Sequence, residues 1–183
     1  MTRAVIQTFS GLELDILNPH PDQISIIDIA HGLSNLCRYT GQTRFFYSVA
    51  QHSVLVATYL EKKYGPAEAF AGLLHDASEA YMGDVATPLK KLLPEYISLE
   101  HRLQMMINEK FKVGYHPTEV MEADSKIFMM EAPYLLPKAK WEFLDDMNIN
   151  QTEVPKWDIY FTPPQEAYKQ FLMYFHGMGD RCL

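Results

Sequence analysis

Cysteine is scarce in this 183-residue sequence, which has only Cys37 and Cys182. Two cysteines so far apart in the chain make no disulfide framework, so the sequence favours a reducing cytoplasm. Long hydrophobic runs are also missing, because no apolar stretch approaches the ~20 residues that cross a bilayer. The first residues lack the apolar run behind a basic start that marks a signal peptide. We therefore predict a cytoplasmic protein with no membrane partner.

Positively charged residues are also few compared with negatively charged ones. The chain has 16 lysines and arginines against 23 aspartates and glutamates, which gives a net charge of -7. This balance disfavours broad electrostatic attraction to a nucleic-acid polymer or an anionic membrane. A small anionic substrate would need a local cationic pocket or a metal ion. The chain also has no internal repeat or low-complexity segment, and its length favours one domain over residues 1–183.

Helical periodicity dominates the hydrophobic pattern. We predict helices over 26–36, from Ser48 to the Tyr64-Gly65-Pro66 break, over 67–82, over 96–111, from a Thr118 cap to the prolines at 133 and 137, and over 165–175. Alternating pieces within residues 4–17 predict a small hairpin or two extended arms. Residues 85–94 are predicted as loop, and residues 138–162 as loop with some helix. The predicted fold class is an all-α bundle with a short extended N-terminal arm.

One segment concentrates ionisable side chains inside an apolar stretch. His75 and Asp76 end an apolar run, Glu79 stands four residues after His75, and Asp84 follows a glycine. Residues four apart are neighbours on a helix, so we expect His75 and Glu79 on one helix face. Burying these groups together is unfavourable unless a cation or a network of donors meets them. A bound metal ion is the simplest explanation.

Two further residues could complete a metal site. His52 falls in the first turns of the helix that begins near Ser48, and Asp124 falls on a later helix. Two imidazoles and two carboxylates suit a divalent ion such as manganese, iron, cobalt, nickel or zinc. Such a ligand set leaves positions open for water and substrate. Spacing alone does not separate a metal site from a chance quartet.

The order of these residues resembles a known family. A histidine, a His-Asp pair and a distant aspartate on helices resemble the HD superfamily of metal-dependent phosphohydrolases. Longer segments resemble the YfbR-type 5′-deoxynucleotidases and the short phage dATP triphosphohydrolases of that group. These segments are 29–39, 47–53, 75–80, 83–90 and 122–124. The resemblance implies an HD-domain helical bundle, a symmetric homo-oligomer and, for a phage-encoded chain, a location in the host cytoplasm.

The resemblance also implies roles for individual residues. The metal ligands it implies are His52, His75, Asp76 and Asp124. The catalytic carboxylates are Glu79 and Asp84. The substrate-binding residues are Arg38, Tyr39 and Lys90. The ion would be zinc, cobalt, manganese, iron, nickel or magnesium, with a second ion as one use of Glu79 and Asp84. Tyr39 stands where the deoxynucleotidases have tryptophan, which weakens any inference about exclusion of a 2′-hydroxyl.

The activity implied is hydrolysis of the 5′-phosphoester of a deoxynucleotide. The favoured reaction converts dATP, and also dADP or dAMP, to deoxyadenosine plus triphosphate or phosphate, which would deplete the dATP pool. One alternative is a broad 5′-deoxynucleotidase that acts on deoxynucleoside monophosphates. Others are a cyclic-nucleotide or alarmone hydrolase and a non-catalytic nucleotide-binding HD module.

Each residue also has a simpler interpretation. Glu79 could be a helix residue paired to Arg38 or Lys90. His31 is more simply structural than a fifth ligand. Arg44 is more simply a solvated loop charge than a phosphate ligand. We assign no role to the two remaining histidines of the central region, His101 and His116.

Overall fold

A short β-hairpin precedes the helices. The computed structural model describes residues 4–136 and 154–182. Strands β1 (Val5–Gln7) and β2 (Glu13–Asp15) pair antiparallel, with Ile6 opposite Leu14. Gly11 adopts a φ of 89° in the turn between them, in the left-handed region that glycine enters without strain. Of the two predicted alternatives, a hairpin or two extended arms, the structure has the hairpin.

The rest of the described chain is mainly helical, which confirms the predicted all-α class. Two single 3₁₀ turns cover Pro21–Gln23 and Tyr39–Gly41. The α-helices are α1 (Ile26–Asn35), α2 (Val49–Lys63), α3 (Pro66–Leu73), α4 (Glu79–Met82), α5 (Thr87–Lys90), α6 (Pro94–Phe111), α7 (Pro117–Leu135) and α8 (Pro164–Cys182). None of these helices is long and apolar enough to cross a bilayer.

The helix starts follow ordinary capping rules. Ser48 caps α2 through a capping box, in which its hydroxyl accepts from the Gln51 N–H and the Gln51 side chain accepts from the Ser48 N–H. Gly65, with a φ of 125°, separates α2 from α3, and Pro66 takes the first position of α3. These two caps fix where α2 begins and where α3 turns back against it.

The predicted continuous helix over 67–82 is wrong. Helix α3 ends at Leu73, and residues 74–78 form turns before α4 begins at Glu79. The backbone there switches to bonds of the three-residue type, such as Ala77 N–H to Leu74 C=O at 3.1 Å. Gln104 of α6 supports the break, because its amide donates to Leu74 O at 2.7 Å and accepts from Ser78 N–H at 3.0 Å. His75 and Glu79 therefore do not lie on one helix face.

Other boundaries differ from the predictions. The predicted loop over 85–94 contains the single-turn helix α5. Helix α7 has Pro117 at its first position and no side-chain cap, so Thr118 is not its N-cap. Pro133 lies inside α7, which ends at Leu135. Helix α8 runs beyond the predicted end at Phe175, to Cys182. Most of the predicted loop over 138–162, and Pro137, lie outside the described residues.

The core lies where α2 and α3 pack on each other and on α1, α7 and α8. Gly72 permits the close approach of α3 to α2, because a Cβ at this position would collide with the side chain of Leu60. Fully buried apolar side chains fill the space between the helices, among them Leu60, Leu73, Ile127 and Phe171. This packing brings the middle of α2, the end of α3 and the middle of α7 together.

Candidate metal centre

His52 is held from both sides of its ring. It lies in the second turn of α2 and is completely buried. Its Nδ1 is 2.9 Å from Glu131 Oε1, and its Nε2 is 2.9 Å from Asp124 Oδ1. Both carboxylates come from α7, so one helix face meets both ring nitrogens. Although it is close to Asp124, the buried Nε2 makes no well-aligned hydrogen bond within residues 4–136 and 154–182.

His75 has a matching arrangement in the turn after α3. Its Nδ1 donates to the carbonyl oxygen of Gly72 at 2.7 Å. A carbonyl can only accept, so the Nδ1 carries the proton and Nε2 is available on the other side of the ring. This Nε2 is buried, has no hydrogen-bond partner among the described residues and lies 3.1 Å from Asp76 Oδ2. The break after Leu73 is what turns His75 and Asp76 toward the same point.

The two histidines and Asp76 form a group that could hold a metal ion. One ligand atom from each of His52, His75 and Asp76 lies within 4.8 Å of the others. Imidazole nitrogen and carboxylate oxygen are suitable ligands for divalent transition metals. Asp124, the fourth predicted ligand, contacts this group through His52 Nε2. Buried polar atoms normally have a hydrogen-bond partner, and the Nε2 atoms of His52 and His75 have none among the described residues. Their lack of partners indicates that this ligand set fits a metal ion.

Opposite charges stabilise one another across this group. Burial alone would raise the pKa of Asp76, but His75, His52 and Arg38 hold it well below its ordinary value. The pKa of Asp124 is also lowered, because His52 and His75 outweigh the effect of burial. Burial and Arg38 oppose a charge on His52, but Glu131 and Asp124 raise its pKa to about 9. The carboxylates next to the histidines are therefore ionised.

Glu79 and Asp84 differ from the ligand carboxylates. Glu79 is buried, and its Oε2 has no hydrogen-bond partner in the part of the chain that the structure describes. Burial and the negative charges of Asp76 and Asp84 raise the pKa of Glu79 to about 10. The pKa of Asp84 is raised too, chiefly by burial. Glu79 Oε1 lies 3.7 Å from Lys90 Nζ. The structure therefore also contains the contact with Lys90 that the simpler interpretation of Glu79 predicts.

Arg38 and Tyr39 lie beside the metal group. Arg38 Nη1 is 3.8 Å from Asp76 Oδ2, and the guanidinium stands 5.3 Å from the centre of the Tyr39 ring. Tyr39 and Thr40 have φ values of 55° and 50°, in the left-handed region that non-glycine residues seldom adopt. Such strain requires support from surrounding structure and is common at functional sites.

Lys90 is shared between two carboxylates. Its Nζ is 2.8 Å from Glu100 of α6, closer than it is to Glu79. Tyr96 donates to the Gly83 carbonyl at 2.9 Å and so joins α6 to the segment before α5. The sequence prediction placed Lys90 near the site, but Glu100 is a partner that it did not include.

The sequence prediction missed Glu131. This carboxylate is fully buried, accepts a hydrogen bond from Tyr47 at 2.7 Å and contacts His52. Burial disfavours its charge, yet His52 and Arg38 hold its pKa below the ordinary value. A signal was present, because Glu131 stands seven residues after Asp124 in an apolar stretch. Two turns of helix place such residues on one face.

Four residues that the sequence analysis left outside the site, His31, His101, His116 and Arg44, make contacts other than those of the metal group or are exposed. The ring of His31 stacks on Phe9, with 3.8 Å between centroids. His116 Nδ1 lies 3.6 Å from Glu68. His101 and Arg44 are exposed.

The fold and site thus define an all-α protein with a His/His/Asp group that could bind a metal ion. No protein-family model matches the chain. The uncharacterized protein YfdR of Escherichia coli (strain K12) is 44% identical over 180 residues, which cover 96% of each chain. The uncharacterized protein RCAP_rcc00048 of Rhodobacter capsulatus is 41% identical over 117 residues, which cover 61% of this chain and 60% of that protein. The chain belongs to the same family as YfdR.

Proposed function

We propose that this protein is a metal-dependent phosphohydrolase of the HD type that cleaves the 5′-phosphoester of deoxynucleotides. The observation that carries the proposal is the pair of buried Nε2 atoms of His52 and His75, unbonded within the described residues. The two histidines form a group with Asp76 in which one ligand atom from each residue lies within 4.8 Å of the others. Two imidazoles fixed at Nδ1 and free at Nε2 are what a metal site requires. The resemblance to the HD superfamily supplies the reaction class.

The proposed ligands are His52, His75, Asp76 and Asp124. A divalent ion bound there polarises a phosphoryl oxygen and lowers the pKa of a water molecule. Nitrogen and oxygen donors suit zinc, cobalt, manganese, iron or nickel, and magnesium is a further candidate.

The cationic side chains next to the ligands suit a phosphate group. Arg38 has its guanidinium near Asp76, and Lys90 stands near Glu79. Charge-assisted donors of this kind bind phosphate oxygens most strongly. In this proposal Arg38 and Lys90 neutralise the phosphates, and Tyr39 packs against the sugar. The overall charge of -7 makes such a local cationic surface necessary for an anionic substrate.

Glu79 and Asp84 handle the proton in this proposal. Burial and the charges of Asp76 and Asp84 raise the pKa of Glu79, which suits this carboxylate to take the proton of the attacking water. Glu79 therefore suits proton transfer at the reacting phosphate, and Asp84 suits orientation of the attacking water. Attack at the phosphorus nearest the sugar releases a nucleoside. The second product is phosphate from a monophosphate or triphosphate from a triphosphate.

The substrate within this class is dATP, with dADP and dAMP as further substrates. The basis is the resemblance to the short phage triphosphohydrolases. A broad deoxynucleoside 5′-monophosphatase would use the same attack, and the two differ in the room for β- and γ-phosphates. The test is a product profile of the purified protein with all four dNTPs and dNMPs and with Mn²⁺, Co²⁺ or Mg²⁺. We expect deoxyadenosine and triphosphate from dATP.

The Asp76→Ala variant is the companion measurement. We expect it to lose both bound metal and turnover, because it removes a ligand. Asp22→Ala, at an exposed aspartate of the first 3₁₀ turn, is the matched control and should retain both. Metal-loaded protein that hydrolyses none of the eight nucleotides would contradict the proposal. Nucleotide binding without turnover would favour a non-catalytic nucleotide-binding module.

A further inference from the structure

Glu131 is a buried carboxyl group to which the proposed function assigns no role. Its carboxylate has no exposure to solvent. Each of its oxygens faces a different pair of side chains. Oε1 contacts Tyr47 Oη at 2.7 Å and His52 Nδ1 at 2.9 Å, and Oε2 contacts Arg38 Nε at 3.4 Å and Tyr39 Oη at 3.4 Å.

These contacts fix the orientation of His52. Oε1 accepts the hydrogen bond of Tyr47 and the Arg38 guanidinium lies beside Oε2, so the carboxylate is surrounded by donors and the Nδ1 of His52 donates to Oε1. In the neutral ring Nε2 then carries the lone pair, and it faces Asp124 at 2.9 Å. Tyr47 holds Oε1 by a hydrogen bond on its other side, which limits rotation of the carboxylate.

We propose that Glu131 is the positioning residue of the site, which orients His52 for metal binding and holds Arg38 next to Asp76. The inference rests on the proposed function for the presence of a metal ion. Glu131 belongs to α7, as does the predicted ligand Asp124. One helix therefore supplies both a ligand and the group that orients a second ligand.

A comparison within the site supports this assignment. The ring of His75 is oriented in the same way by the backbone carbonyl of Gly72, which accepts a hydrogen bond from its Nδ1 at 2.7 Å. No substitution removes that carbonyl. His52 depends instead on a side chain, so its orientation can be altered without touching any ligand. The negative charge of Glu131 also makes the His52 imidazole a stronger donor to a metal ion.

The experiment compares metal affinity in two matched variants of the full chain. Glu131→Gln keeps the shape of the side chain and removes its charge. Glu122→Gln is the same change on the same helix, at a carboxylate paired with Lys63 and Lys126 rather than with the site. Chelator competition with Co²⁺ gives the dissociation constant. We expect binding about 10–100-fold weaker in Glu131→Gln and nearly unchanged in Glu122→Gln. Equal affinity in wild type and Glu131→Gln would overturn the inference.

A second experiment separates the effect of the Glu131 contact with His52 from the effect of the charge on Arg38. Loss of the Glu131 charge leaves Asp76 as the carboxylate next to Arg38, and the less neutralised guanidinium could itself repel the ion. The Glu131→Gln change is therefore repeated in Arg38→Gln, where that charge is absent. We expect the weakening to persist, because the His52 contact does not involve Arg38. Weakening that disappears in this background would show that Glu131 acts only by neutralising Arg38, against the inference.

A spectroscopic measurement stays available if Glu131→Gln does not fold. Long-range ¹H–¹⁵N correlation spectra of the zinc-loaded wild-type protein report which nitrogen of His52 carries the proton. We expect a proton on Nδ1 and metal on Nε2. Metal on Nδ1, or no metal-bound His52, would overturn the inference.

These readouts do not depend on turnover. Metal binding that depends on Glu131, in a protein that hydrolyses no nucleotide, would sustain the inference and overturn the proposed function. Hydrolysis with metal affinity independent of Glu131 would do the reverse.

Discussion

His52 and His75 face each other with 5.5 Å between ring centroids and 52° between ring planes. They come from different elements, one from near the start of α2 and the other from the turn after α3. In each ring Nδ1 faces an acceptor and the buried Nε2 has no aligned hydrogen bond. Leaving two buried polar atoms unsatisfied costs about 1–3 kcal/mol each, which a bound ion would offset.

Metal binding should therefore raise thermal stability, and His75→Ala should abolish this effect. A ligand that binds only the folded state, at 100 times its dissociation constant, adds about 2.7 kcal/mol. The measurement is the melting temperature in chelator and in excess Mn²⁺ or Co²⁺. His101→Ala, at an exposed position of α6, is the control and should keep the wild-type response. A wild-type melting temperature that is the same in chelator and in excess Mn²⁺ or Co²⁺ would contradict the assignment of a metal site.

Replacing Glu79 should separate catalysis from metal binding. Glu79→Gln keeps the side-chain shape but removes the titrating carboxyl, so we expect kcat to fall by about 10²–10⁴-fold. Bound metal, measured by elemental analysis, should not change. Glu95→Gln is the control, at an exposed carboxylate in the first turn of α6. Full activity in Glu79→Gln would assign this residue to the simpler role of an ion-pair partner of Lys90.

The sequence could predict the elements that local patterns determine. Ser48 with Gln51, and Gly65 with Pro66, mark helix boundaries that the structure confirms. The grouping of His75 and Asp76 with His52 was also predicted, the pair from its cost of burial in an apolar segment and His52 from the resemblance to the HD superfamily. These predictions depend on neighbours in the chain, on a strong desolvation cost or on that resemblance.

Features that depend on distant residues could not be predicted in the same way. The apolar segment over 67–82 satisfies a helical pattern, and the break after Leu73 is supported by Gln104, which lies far away in sequence on α6. Likewise Glu131 and Glu100 have roles that follow from what lies opposite them in space. In the local pattern, Glu131 is one carboxylate among apolar residues of a helix.

The break after α3 gives a stability prediction at Gln104. Gln104→Met keeps the length and helix propensity of the side chain but removes its bonds to Leu74 O and Ser78 N–H. We expect a loss of about 1–3 kcal/mol in the free energy of unfolding, measured by urea denaturation. Gln165→Met, at an exposed position of α8, should change it little. Metal affinity should fall as well, because this break orients His75 and Asp76.

An unchanged metal affinity in a destabilised Gln104→Met protein would mean that the turn holds its shape without Gln104. The remaining support would then come from the Gly72 carbonyl and the turn's own backbone bonds.

Stability should depend on pH through Glu122. Its carboxylate contacts Lys126 Nζ at 2.5 Å, Lys63 Nζ at 2.6 Å and Tyr64 Oη at 2.9 Å. These contacts, led by Lys126, lower the pKa of Glu122 from 4.5 to about 2. A carboxyl whose pKa is lower in the folded state stabilises the fold above its unfolded pKa. That contribution is lost as the pH falls from 4.5 toward about 2.

The test measures the free energy of unfolding of wild type and Glu122→Gln between about pH 7 and about pH 3. The wild type should be the more stable near neutrality, and the difference should shrink as the pH falls. Glu109→Gln, at an exposed carboxylate near the end of α6, is the control and should show a smaller dependence. Glu122 is partly exposed, so added salt should also reduce the difference by screening. A gap that stays constant with pH would mean that the Lys126 and Lys63 contacts do not favour the ionised form.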